Sequence, residues 1–140
     1  MNGGPPRLDH VAVAVRDTDA ALEYFRDRLG LEVVHDERLD VPPVRLTYLD
    51  AGGIAIQLVQ PLRADTDLAR SLEARGEGLH HLCFAAADPV AAAAALTAAG
   101  DPPPAPGRGR GRVSAFVPGA PPHGVLVEFT ATATPSSASA

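Results

Sequence analysis

The stretch Leu8-Asp9-His10-Val11-Ala12-Val13-Ala14-Val15-Arg16-Asp17 alternates apolar residues about a histidine in third place and closes on an aspartate. Period-two alternation marks a strand, and an aspartate ahead of a helical pattern marks a helix cap. The same arrangement returns at an offset of 71 as Leu79-His80-His81-Leu82-Cys83-Phe84-Ala85-Ala86-Ala87-Asp88. At that offset Ile54-Ala55-Ile56-Gln57-Leu58 falls on Val125-Leu126-Val127-Glu128-Phe129, so one register pairs His10 with His81 and Gln57 with Glu128. Two matches at one spacing, each bearing a potential ligand, define a repeated module.

The intervening segments complete two copies of it. Asp17 caps a helix whose apolar stripe is Ala21, Leu22, Phe25 and Leu29, stopped by Gly30. Asp88-Pro89 opens a second, alanine-rich helix that runs to Gly100. Strands are expected at about 31–36, 43–50 and 53–59 in the first copy, and at about 111–117 and 123–130 in the second. Pro102, Pro103, Pro104 and Pro106 replace one strand with an irregular edge or loop, because proline gives a ladder no donor. The expected fold class is α+β: two tandem βαβββ modules forming a curved mixed sheet around a metal-binding cavity. A single domain then covers 7–131, with modules at about 7–60 and 79–131, a linker helix at about 66–75, and flexible tails at 1–6 and 135–140.

Composition narrows the function. The chain has 140 residues and a net charge of −5, which disfavours nucleic-acid partners, since phosphate binding needs surplus cations. All 12 cations are arginine, so Schiff-base and lysine-base chemistry are excluded. No apolar run reaches the ~20 residues of a membrane span, and residues 1–8 lack the pattern of a signal peptide. The single cysteine, Cys83, excludes an internal disulfide and suits a cytoplasmic location.

Splitting each strand by face separates ligands from packing. His10 shares a face with Ala12 and Ala14, His81 with Cys83 and Ala85, Gln57 with Ala55, and Glu128 with Leu126 and Thr130. The bulky aliphatics take the opposite faces and are expected to pack on the helices, while the small or polar faces line the cavity. Two imidazoles and two oxygen donors suit one divalent ion per chain, Co, Mn, Ni, Zn, Fe or Mg. Four protein ligands leave two positions of a six-coordinate ion open for substrate, and the absence of thiolates argues against a closed structural zinc site. His80 should face away from the ligands, and His35 and His123 should be solvent-exposed. Cys83 is a small cavity-lining residue rather than a nucleophile. Arg108, Arg110 and Arg112 form a cationic loop, either a solvated turn or a contact for phosphate or carboxylate.

These residues resemble the vicinal oxygen chelate superfamily of glyoxalase I, extradiol dioxygenases and fosfomycin resistance enzymes, and within it the methylmalonyl-CoA epimerases. The likeness covers about residues 7–131. Besides the two strand motifs, it rests on Tyr24-Phe25 with Leu29-Gly30-Leu31-Glu32-Val33, on Gln57-Leu58-Val59-Gln60-Pro61-Leu62, on Arg75-Gly76-Glu77-Gly78-Leu79-His80-His81 and on His123-Gly124-Val125-Leu126-Val127-Glu128. The family's four metal ligands fall on His10, Gln57, His81 and Glu128. The resemblance implies an epimerase that removes and returns the proton between a thioester and a carboxylate, with Glu128 as a catalytic acid–base, an acyl-CoA substrate and a homodimer.

Two departures stand out. Some family members carry a second catalytic glutamate where this chain reads Val44-Arg45-Leu46, and a His-Pro-Lys where it reads Val117-Pro118-Gly119. The alternatives are another metal-dependent enzyme of this superfamily, a glyoxalase-like lyase or a dioxygenase, or a resistance protein that binds a small molecule. A metal-free binder would have apolar residues at the four ligand positions, and here all four are competent to coordinate.

Overall fold

The computed structural model describes residues 6–132. The expected tails lie outside the described residues, apart from residue 6. Contacts divide the chain into two compact units, His10–Leu82 and the described residues on either side of it.

In the His10–Leu82 unit, β1 (Arg7–Ala14), whose residues 7–9 belong to the other unit, leads to α1 (Thr18–Leu22), followed by β2 (Glu32–Asp40), β3 (Pro43–Asp50), β4 (Ala55–Pro61) and α2 (Asp67–Arg75). β5 (Gly78–Ala86) contributes residues 78–82 here and 83–86 to the other unit. Hydrogen-bonded neighbours run β2-β3-β4-β1, with β1 parallel to β4 and the rest antiparallel. Registers align Ala12 with Gln57, Gln57 with Tyr48, and Tyr48 with His35. Residues directly opposite share a face, so these four form one row across the unit.

The two faces bury different clusters. On the outer one, Val15, Leu22, Leu49 and Leu58 pack with Val13, Phe25 and Ile56, which is the expected seat of the first helix. On the inner one, Ala12 and Ala14 pack with Val44, Leu46, Tyr48 and Leu72, the last from α2. The ligand-bearing face therefore has its own apolar floor, and α2 covers part of it.

The first helix departs from its expected stripe. After α1, capped by Asp17 through the N–H groups of Asp19 and Ala20, the chain continues as a π-helix over Glu23–Arg28. Leu29 N–H donates to Tyr24 O at 2.8 Å, one residue beyond the α pattern. The wider turn rotates later residues off the α-helical face. Leu29 is consequently 58% exposed while Leu22 is 5% exposed. β2 runs past the expected residue 36 to Asp40, because a two-residue turn at Val41-Pro42 returns the chain with Asp40 opposite Pro43.

The second unit contains α3 (Pro89–Ala95), β6 (Pro106–Gly109), β7 (Arg112–Phe116) and β8 (Val127–Ala131), with strand order β8-β7-β6. Ala93, Ala115 and Phe129 form its core, with Phe84 and Val90 against them. Here α3 stops well short of Gly100. The N–H groups of Leu96 and Thr97 donate three residues back, and the Thr97 hydroxyl donates to Ala93 O at 2.8 Å, which tightens and closes the last turn. The proline-rich segment yields only the four-residue edge strand β6. β8 begins at Val127 rather than 123, since Pro122–Gly124 forms a 3-10 turn in which His123 adopts φ 58°. No helix among the described residues is long and apolar enough to cross a membrane.

Candidate metal centre

Within the His10–Leu82 unit, His10, Gln57 and His81 are 2%, 4% and 7% exposed. Polar side chains buried this deeply are held by specific interactions. The His10 and His81 rings stand 5.7 Å apart between centroids at 73°, and the edge-on ring of Tyr48 lies 5.6 Å from His10. Gln57 Nε2 donates to the Tyr48 hydroxyl oxygen at 2.9 Å. Its carbonyl oxygen, Oε1, is buried with no hydrogen-bond partner among the described residues. A buried oxygen left in this state lacks the compensation that burial demands, and a cation provides it. The donor set and this oxygen fit a divalent ion.

His80 departs from expectation. Its strand position faces away, yet its Nδ1 lies 2.8 Å from His81 Nδ1. One nitrogen must carry the hydrogen and the other accept it. A His81 that ligates through Nε2 donates from Nδ1 to His80, and a partner of this kind fixes both tautomer and ring angle. His35, expected to be solvent-exposed, is instead half-buried on β2 with its ring 5.7 Å from Tyr48. His123 is exposed, as expected.

Glu128 lies on β8 in the second unit, 9% exposed and directly opposite Phe116 on β7. Cys83 belongs to the same unit and is fully buried; burial pushes its thiol well above the ordinary range, and the Glu128 carboxylate adds to the effect. A thiol held protonated in this way is no nucleophile. The arginine loop resolves into a hairpin turn at Arg110-Gly111, both at positive φ, the signature of a two-residue β-hairpin. Arg110 pairs with Asp9, and Arg112 lies 3.6 Å from the same carboxylate. Two of the three arginines are thus turned toward an internal acid. A groove of about 490 Å³ in the first unit lies beside Val13, Val15, Phe25 and Glu77, away from the ligand face.

Sequence reasoning passed over Tyr48. The signal was present: Gly52-Gly53 closes a short turn, and counting back from it sets Tyr48 opposite Gln57.

Residues 9–116 match the family profile of the Glyoxalase/Bleomycin resistance protein/Dioxygenase superfamily, and the chain belongs to that superfamily. It is 36% identical over 78 residues to the uncharacterized protein YqjC of Bacillus subtilis, covering 56% of each chain. It is 35% identical over 95 residues to an ethylmalonyl-CoA/methylmalonyl-CoA epimerase of Cereibacter sphaeroides, covering 67% of this chain and 71% of the relative. The chain spans about half the length of most of the curated relatives it matches. Among solved structures it matches a Streptomyces coelicolor methylmalonyl-CoA epimerase variant in complex with 2-nitronate-propionyl-CoA. The TM-score there is 0.78 at 35% identity, over 91% of this chain and 94% of that one. The fold is mixed α+β, as the repeat predicts, and is the vicinal oxygen chelate fold that the resemblance implies.

Proposed function

We propose that the protein is a metal-dependent epimerase that inverts the carbon between a thioester carbonyl and a carboxylate, with methylmalonyl-CoA as substrate. His10, Gln57, His81 and Glu128 would hold one divalent ion, the fourth residue being assigned from its repeat equivalence to Gln57. When bound, such an ion supplies Lewis acidity toward two substrate oxygens. The two imidazoles bind as neutral donors, with His80 holding the ring of His81. The Glu128 carboxylate carries one of the two proton transfers at the inverting carbon, and inversion requires the other to reach the opposite face of that carbon. The observation that carries this reading is the buried, unsatisfied Gln57 Oε1 in a unit that also buries His10 and His81.

Support for the substrate class comes from the Cereibacter and Streptomyces relatives, whose names specify acyl-CoA epimerases. The missing lysine at Val117-Pro118-Gly119 favours a second reading, in which another small acidic molecule is the substrate of the same proton transfer. Deuterium exchange from solvent into methylmalonyl-CoA, with and without added Co²⁺, tests the main reading. Metal-dependent label at the inverting carbon is expected, and absence of label under both conditions refutes it. A cytoplasmic homodimer accompanies the proposal, and a sedimentation mass of one chain at micromolar concentration would refute the dimer.

A further inference from the structure

We infer that Tyr48 is a positioning residue for Gln57, an inference that rests on the metal-site reading above. It presents the amide to the site by its oxygen. An amide differs from a carboxylate in carrying two N–H donors, and in a buried site these need an acceptor. Tyr48 is 2% exposed, stands directly opposite Gln57 in the β3–β4 register, and accepts from Nε2 at 2.9 Å. With the nitrogen end engaged there, the oxygen end is the one left without a hydrogen-bond partner. The same phenol ring meets His10 edge-on at 89°, so one side chain braces two of the proposed ligands.

The other half of the repeat supplies an internal control. Glu128, the counterpart of Gln57, has Phe116 directly opposite it on β7. Both positions hold an aromatic ring, but only the ring opposite the amide has a hydroxyl. A carboxylate has no N–H to satisfy, so a plain phenyl ring suffices there. The hydroxyl thus accompanies the ligand that needs an acceptor, a correlation that packing alone does not demand.

Tyr48→Phe keeps the ring against His10 and removes the hydroxyl that accepts from Gln57 Nε2. With Co²⁺ as the probe and calorimetry as the readout, this change should weaken binding about 10–100-fold, the usual effect of deleting a partner behind a ligand. In a Gln57→Ala background the same change should alter affinity by less than about twofold, because the group through which Tyr48 acts is gone. The visible ligand-field bands of the Co²⁺ protein should shift in Tyr48→Phe as the oxygen donor loses its fixed orientation. Equal weakening in both backgrounds overturns the inference, since Tyr48 would then act through His10 or through folding.

Metal-free protein gives an independent arm. The Gln57 side-chain amide protons should exchange slowly with solvent in the parent chain and faster in Tyr48→Phe, as seen by ¹⁵N NMR. Fast exchange in both overturns the inference. If the parent chain binds no Co²⁺ yet its Gln57 amide is protected by Tyr48, the metal reading fails while the positioning of Gln57 stands.

Discussion

Glu128 and His81 differ in what a conservative change removes. Glutamine at 128 is nearly isosteric with glutamate and keeps an oxygen donor, as Gln57 illustrates, but its amide accepts no proton near neutrality. Glu128→Gln should therefore keep near-normal Co²⁺ content while deuterium exchange falls by the roughly 10²–10⁴-fold typical of a lost acid–base group. Exchange at the parental rate would make Glu128 a ligand alone. His81→Ala should abolish binding in a Co²⁺ titration, whereas His80→Ala should weaken it about tenfold by releasing the Nδ1 of His81. Strand alternation alone would have left His80→Ala without effect. Alternation fixes where a Cα–Cβ bond points, and that was legible for His10, Gln57 and His81, all on buried faces. It does not fix how far a ring swings back toward its neighbour, so the His80–His81 contact was not. Tyr48 lay between these cases, reachable from turn length but not from alternation along a single strand.

Helix and strand limits show the same division at the next scale. Caps were legible because they depend on one side chain and its nearest N–H groups: Asp17 and Asp88 each accept from the first turn they precede. Helix ends were less so. The π-turn after Leu22 and the early stop at Ala95 depend on backbone carbonyls choosing partners three, four or five residues on. Leucines provide a direct measure of the first case. Leu22→Ala should cost about 2–5 kcal/mol in denaturant unfolding, as for a buried leucine. Leu29→Ala should stay within about 0.5 kcal/mol, as for a surface site. Comparable losses at the two positions would restore the uninterrupted α-helical stripe. The late start of β8 has a similar origin, because Pro121-Pro122 and the 3-10 turn use up residues that alternation had given to the strand.

Across the whole molecule, stability should carry a recognisable acid limb. The guanidinium of Arg45 holds the Asp36 carboxyl below the usual carboxylate range through two hydrogen bonds, with the Thr47 hydroxyl assisting. A carboxyl whose folded pKa is depressed stabilises the fold above its unfolded pKa. That contribution fades as pH falls through the folded value. Asp36 is 40% exposed, so solvent screens the pair and its worth is about 1 kcal/mol or less. Asp36→Asn should lower the unfolding free energy by that amount at pH 7 and by nearly nothing at pH 2, in urea titrations at the two pH values. An equal loss at both would show that the ion pair is not responsible. The βαβββ organisation itself was legible because a repeat records topology twice, each copy checking the other.

The same β2 that carries Asp36 ends the strand order of its unit, and its outer hydrogen-bonding groups form a row that another chain could extend. Glu32, Asp36, Glu37, Arg38 and Asp40 distribute five charges over its nine residues, leaving Val33-Val34 as its longest aliphatic run. A second chain laid alongside in register would set like charges next to each other at every one of those positions. The charge pattern of the strand thus opposes the in-register addition of a second copy along this border.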